Sequence, residues 1–272
     1  MDKRLLCLPA PSSTSHKGQN GVVLVIGGGR TYHGAPILAS LAAVRFCDLV
    51  YFASTDSNDE LLRKMRLASP NIIGVPKNKF SFALSHCTCV LVGNGMEVNA
   101  STGKMLGRVL KTKKRCVLDA AALRVLPLGL LHRNCILTPH AGEFKAAFGG
   151  EATAANASAM AKKYGCTILL KGKKDFVAGA GKGAFVAGGN AGMTKGGTGD
   201  VLAGLAAALF SRCTSPLKAA YTASAINKKA GEGCFKKLGY NFSSEDLAEE
   251  LALAAKGLYK AQKTVYKAQK RL

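Results

Sequence analysis

The sequence predicts an α/β fold: a mostly parallel central sheet with helices on both faces and a small antiparallel addition. Three observations carry this. Short runs rich in Val, Ile and Leu recur along the chain, and each stops at Gly, Pro, Asp or another turn former. Such runs suit strands buried on both faces. Helical patterns fall between them, and that alternation makes a layered α/β domain. Late in the series a Gly-rich turn joins two runs into a hairpin, which is antiparallel.

The elements follow in order. "VVLVIGG" from Val22 is the first strand, and Ala35 to Arg45 the first helix. "LVYFAS", "CVLVGNG", "CVLDA", "NCILTPH" and "TILLKG" are further strands. "DFVAG" from Asp175 and "AFVAG" from Ala184 form the hairpin. A helix spans Val201 to Phe210. Ser243 and Asp246 form a capping box before a long basic helix. "YKAQK" occurs there twice, at Tyr259 and Tyr266, and Lys256, Lys260, Lys263 and Lys267 share one face. No Pro/Ser-rich linker divides the chain. One domain is expected over 1–272, with a basic helical extension at about 259–272.

A chain of 272 residues buries about 75% of the surface it exposes when unfolded, enough for one large core. The formal charge is +22, from 38 Lys and Arg against 16 Asp and Glu. An anionic partner would explain it, and so would a solvated basic surface, since the bases are spread along the whole chain. Nucleic acid is not the expected partner. No run approaches the roughly 20 apolar residues of a membrane span, and the start has too short an apolar stretch for a signal peptide. A cytoplasmic protein without membrane contact is expected. Nine cysteines are scattered along the chain. Cys87 and Cys89 are the only close pair, with no second pair at zinc spacing. Cys116, Cys135 and Cys166 sit in apolar runs, so buried free thiols in a reducing compartment are expected.

The chemistry gathers at "GMTKGGTGDVLAGL", Gly192 to Leu205. Its glycines let a ligand approach the backbone, and the helix that follows offers amides and a positive dipole end. A phosphoryl oxygen is the natural occupant. Asp200, held ionised there, can take a proton from an attacking hydroxyl. A plain helix cap would explain the acid but not four surrounding glycines. In "VIGGGRTYHGAP" Tyr32 stands where a dinucleotide fingerprint needs its third Gly, though Gly34 and Ala35 leave room for a ligand. In "LTPHAGEF" His140 and Glu143 lie one helical turn apart; one could bond a substrate and the other hold Mg²⁺ through water, or the His could be structural. In "LLKGKKD" Lys171 could meet a nucleotide, while Lys173 and Lys174 could simply be solvated. Asn94, Asp119, His140 and Lys171 all follow strands, at the sheet edge where ligands of open parallel sheets bind.

Taken in order, "HKGQNGVVLVIGGGRTYHGAP", "LVGNGM", "VLDAAAL", "LTPHAGEF", "LLKG" and "GNAGMTKGGTGDVLAG" resemble the NAD(P)H-hydrate dehydratases, over roughly residues 10 to 258. The resemblance implies a three-layer ribokinase-like fold. It implies a lyase of metabolite repair, nearest the ADP-dependent bacterial and archaeal type. Such an enzyme phosphorylates the C6 hydroxyl of hydrated NADH or NADPH (NADHX, NADPHX) with ADP or ATP and Mg²⁺, then expels phosphate. On this resemblance Asp200 is the base, and Gly196, Gly197, Thr198 and Gly199 form the anion hole. Ala35, Gly95 and His140 line the hydrate site with Asp200. Lys171, Gly172, Lys173, Lys174, Asp175 and Gly199 meet the nucleotide, and Glu143 matches a magnesium-associated acid. A homotetramer and a separate NAD(P)H-hydrate epimerase as companion are also implied. Three positions depart from the family pattern: Ala121 replaces an acid, Glu97 a glycine, and Lys195 an uncharged residue. Two competing readings are a hydroxyethylthiazole-kinase-like small-molecule kinase and a non-catalytic nucleotide or nucleic-acid binder.

Overall fold

The computed structural model describes residues 2–54, 69–179 and 181–269, with side chains described as far as Tyr259 in the last helix. Nine described strands form one sheet. They are β1 (Val22–Ile26), β2 (Leu49–Ala53), β3 (Ile72–Gly74), β4 (Cys89–Val92), β5 (Arg115–Leu118), β6 (Cys135–Leu137), β7 (Thr167–Leu170), β8 (Asp175–Gly179) and β9 (Lys182–Val186). The spatial order is β3-β2-β1-β4-β5-β6-β7-β8-β9. Pairing is parallel from β3 through β7 and antiparallel for β8 and β9. The predicted parallel sheet and hairpin are therefore present in one continuous sheet. Two details differ. The hairpin's second strand starts at Lys182, two residues before the predicted Ala184, and β3 was not predicted. Three residues at an edge are too few for a periodic signal.

Alternation along the strands builds two cores. Val23, Val25, Leu91 and Val117 face one side, under α1 (Gly34–Ala43), α7 (Thr198–Arg212), α8 (Pro216–Leu238) and α9 (Ser244–Gln269). Leu24, Ile26, Val90 and Leu118 face the other. That side is covered by α2 (Phe80–His86), α3 (Ala100–Lys111), α4 (Ala121–Arg124), α5 (Ala141–Phe148) and α6 (Ala154–Tyr164). Because both faces are covered, the strands read as continuous apolar runs.

Strand order reverses at β1, which pairs with β2 on one side and β4 on the other. A crevice opens at such a switch point, beyond the carboxyl ends of the strands. Helix α7 runs beneath it, buried from Val201 to Ser211. It lies so close to α1 that a Cβ on Gly204 would sit 2.0 Å from the Ala39 carbonyl oxygen. Gly204→Ala is expected to destabilise the chain by about 1–3 kcal/mol through overpacking, read as a lower thermal midpoint with native-like circular dichroism below it.

The capping box before α9 is present: the Ser243 amide donates to Asp246 at 2.6 Å, and the Asp246 amide to Ser243 Oγ at 3.2 Å. Lys256 is exposed. Lys260, Lys263, Tyr266 and Lys267 lie outside the residues whose side chains are described. No described helix is long and apolar enough to cross a membrane.

The cysteines need one correction. Seven are free, and six of these are buried. Cys7 and Cys213 instead form a disulfide at a sequence separation of 206. It joins the N-terminal segment to the turn between α7 and α8.

Candidate active site

Gly197 opens α7 in the left-handed region (φ 91°), where a Cβ would lie 2.4 Å from the Leu38 side chain. Only glycine turns the chain here without strain. The turn places Asp200 in the helix's first turn, where amides lack intrahelical partners and the dipole is positive. Thr198 fastens the preceding loop, donating from Oγ1 to the carbonyls of Met193 (2.7 Å) and Lys195 (2.9 Å). Lys195 does not reach toward this helix end. Its Nζ donates to the carbonyls of Tyr240 (2.7 Å) and Phe242 (2.8 Å) and so ties the loop to the start of α9.

A buried polar chain runs from Asp200 along the carboxyl ends of β4 to β7. Asn94, fully buried after β4, donates from Nδ2 to Asp200 Oδ1 at 2.6 Å and to Asp119 Oδ2 at 2.9 Å. Asp119, after β5, also accepts from Thr138 Oγ1 (2.8 Å) and from Lys171 Nζ (2.9 Å). Lys171 lies 3.4 Å from Glu143 Oε2. Asn94 Oδ1 is buried without a partner, and a buried acceptor left so is costly.

The charges decide the state of Asp200. Its pKa is pushed up to about 6, first by burial and then by the Asp119 carboxylate, against the pull of the Asn94 hydrogen bond and Lys171. The expected effect of the helix end, to hold this acid firmly ionised, is outweighed. The result is a carboxylate still mostly ionised at pH 7 and more basic than an ordinary Asp. For Lys171, burial works against the ammonium, but Asp119 and Glu143 outweigh it and raise the pKa.

Several predicted site residues come together. Lys171, Gly172, Lys173, Lys174, Asp175, Thr198 and Gly199 line one cavity of about 700 Å³, with His140 at its wall. Within it, the Lys171 ammonium serves Asp119 and Glu143 instead of standing free for a phosphate. Asp175 shapes the loop, accepting from the Gly172 amide (2.9 Å) and Ser224 Oγ (2.7 Å). Gly196, Gly197, Ala35, Gly95 and Asp200 are not among the lining residues, though Asp200 follows Gly199 directly. Gly95 is fixed by its own turn (φ 70°), where a Cβ would meet the Tyr32 carbonyl oxygen at 2.0 Å. Ala35 is half-buried in the first turn of α1.

His140 and Glu143 form a reciprocal cap on α5. The His140 side chain accepts from the amides of Gly142 and Glu143, and Glu143 accepts from the His140 amide at 2.8 Å. Glu143 Oε2 is thus engaged by the cap and by Lys171. The departures are also placed. Ala121 is buried at the start of α4, and Glu97 is exposed beside a second cavity of about 680 Å³. Asn94 and Asp119, which join the rest of the site, were visible in the sequence only as polar residues after strands.

Comparison with known proteins adds a family. A family model described as NAD(P)H-hydrate dehydratase matches residues 23–253. The chain is 38% identical to the ADP-dependent (S)-NAD(P)H-hydrate dehydratase of Nitrosopumilus maritimus, covering 92% of this chain and 93% of that one. It is 37% identical to the protein of the same description from Cenarchaeum symbiosum, with 90% and 91% covered. Its fold is similar to that of the ADP/ATP-dependent NAD(P)H-hydrate dehydratase of Bacillus subtilis, co-crystallised with ATP/Mg²⁺: TM-score 0.81, 22% identity, 93% and 95% covered.

Proposed function

The chain belongs to the NAD(P)H-hydrate dehydratase family, and from that premise we propose that it returns the 6-hydroxy hydrate of NADH or NADPH to the working cofactor, with ADP, or ATP in its place, as phosphoryl donor. One observation carries the reading. Asp200 is a carboxylate of raised pKa at a helix N-terminus, next to Gly199 on the wall of a cavity sized for a nucleotide. Substrate hydroxyl and donor phosphate can therefore meet beside a proton acceptor.

The chemistry follows from these groups. Asp200 takes the proton of the C6 hydroxyl, whose oxygen attacks the donor's terminal phosphorus. The bond from that phosphorus to the bridging oxygen breaks, and the helix-end amide at Gly199 takes up the charge. A phosphoester on C6 leaves far more readily than hydroxide. The C6–O bond then breaks, a proton leaves C5, and the ring double bond returns. His140 and Gly95 would hold the substrate, and Asn94 Oδ1 would accept from one of its N–H or O–H groups.

Magnesium fits this site on the donor's phosphates. Asp119 has both oxygens occupied and Glu143 Oε2 is engaged, so Glu143 Oε1, 3.5 Å from His140 Nε2, is the atom that would hold a water of the ion's shell. Magnesium of this kind keeps several waters and neutralises phosphate charge. As further parts of the same reading, the chain works as a homotetramer in the cytoplasm beside a separate epimerase.

The deciding experiment supplies hydrated NADH with Mg²⁺ and either ADP or ATP, and follows reduced-nicotinamide absorbance together with free phosphate. Both should rise one for one. A stable phosphoester without restored absorbance would instead mark a small-molecule kinase, and no product from a protein that binds ADP would mark a binder. Asn94→Leu tests the polar chain. It removes the hydrogen bond that lowers the Asp200 pKa, so the acidic limb of kcat/KM should move above about 6. An unmoved limb would exclude Asn94 from setting the base.

A further inference from the structure

We propose that Cys116, His132 and Cys135 form a binding site for a thiophilic cation, zinc above all, at the end of the sheet opposite the nucleotide cavity. Among the described residues this is the one group of at least three His, Cys, Asp or Glu residues whose ligand atoms all lie within 4.8 Å of one another. Zinc takes sulfur at about 2.3 Å and nitrogen at about 2.0–2.1 Å, so a single ion can reach all three. The two sulfurs are 3.4 Å apart. A small opening would give the separation of two ligands on one tetrahedral ion.

The scaffold holds these ligands before any ion arrives. Cys116 and Cys135 are paired residues on the adjacent parallel strands β5 and β6. His132 precedes Cys135 in a turn closed by the Cys135 amide on the His132 carbonyl (2.9 Å). The turn is fastened to β5 by the Cys116 amide on the Asn134 carbonyl (2.9 Å), and by Asn134 Nδ2 on the Lys113 carbonyl (3.0 Å). His132 Nε2 is buried without a hydrogen-bond partner, a condition an ion would relieve. The ring as a whole is only half-buried, which gives an ion a way in.

The chemistry of the set is selective. Two thiolates and an imidazole are soft or borderline ligands, suited to zinc or cuprous copper and not to magnesium or calcium. Two thiolates with Zn²⁺ sum to zero charge, which a buried site tolerates far better than a lone thiolate. Binding at Nε2 requires the proton on Nδ1, so the 3.3 Å contact from the Asn134 amide to Nδ1 is given up. The fourth position falls to water. His132 precedes β6, Cys135 opens it and Cys116 is the second residue of β5, whereas Asp200 and Lys171 lie beyond the carboxyl ends. The expected role is therefore to fasten β5 and β6, not to take part in catalysis.

The test uses the full chain, purified under reducing conditions and stripped with a chelator. Added Co²⁺ should give one equivalent of tetrahedral d–d bands with thiolate charge-transfer absorption, and Zn²⁺ should displace it and raise the thermal midpoint. His132→Ala, a half-exposed position, should weaken Zn²⁺ binding at least about 10-fold, and Cys135→Ala should abolish the charge-transfer band. Cys87→Ala should leave both unchanged. Failure of the wild-type chain to develop the band would overturn the proposal. So would a band that survives Cys135→Ala, or thiol counting that finds Cys116 and Cys135 already bonded to each other. Repair activity with Mg²⁺ is a separate readout, so these outcomes do not depend on the proposed reaction.

Discussion

Asp200→Asn is expected to lower turnover of the hydrated cofactor by roughly 10²–10⁴-fold, the usual contribution of a positioned base, while the folded chain still binds ADP. It is also expected to make the protein more stable at neutral pH. The sign follows from the shift. Folding raises this acid from its ordinary value of 3.8 to about 6, so the native state disfavours the ionised form. The penalty is absent below pH 4, grows between 4 and 6 and is constant above. Removing the charge should therefore add on the order of 1–3 kcal/mol at pH 7, and nothing at pH 3.5. For the wild type, kcat/KM should fall as pH drops through about 6 and Asp200 takes up its proton. Equal stability of the two proteins at pH 7, or turnover retained by the variant, would remove Asp200 from the role of buried base.

Lys171→Met should have the largest effect on stability. Its ammonium lies 2.9 Å from Asp119 and 3.4 Å from Glu143, and both carboxylates are almost fully buried. Met fills much the same volume but leaves two acids without their counter-charge, and breaking a buried pair in this way costs about 3–5 kcal/mol. Denaturant unfolding at pH 7 would read it. Because folding raises the Lys171 pKa, its contribution is whole below the ordinary value of 10.5 and fades only above it. The gap between wild type and variant should thus stay level across neutral pH and narrow only in strong alkali. A loss below about 1 kcal/mol would mean that Lys171 is held loosely, free to serve a nucleotide instead.

What could be read from the sequence was what is local. Apolar runs announced the strands because each is buried on both faces, and the glycines around Asp200 announced the helix-end turn because Gly197 needs a left-handed backbone. Asn94 was harder. Its importance comes from meeting Asp119 and Asp200, 25 and 106 residues away, and only the pairing of β4 with β5 and the packing of α7 on those strands bring them together. Lys171 was read as a candidate nucleotide contact because it is basic and follows a strand, and Lys195 only as a departure from the family pattern. Burial turned the first toward two acids, and two carbonyls before α9 claimed the second. The disulfide was beyond reach for the same reason as Asn94, since its partners stand 206 residues apart.

That disulfide determines how the molecule would respond to mechanical load. Pulled by its two ends, the oxidised chain can lengthen only in the few residues before Cys7 and in α8 and α9 after Cys213. Every described strand lies inside the closed ring, shielded from the force. A reducing agent would put the whole sheet in series with the pull. The same ring means that one proteolytic cut between the two cysteines leaves a single covalent piece, which separates into two only when the bridge is opened.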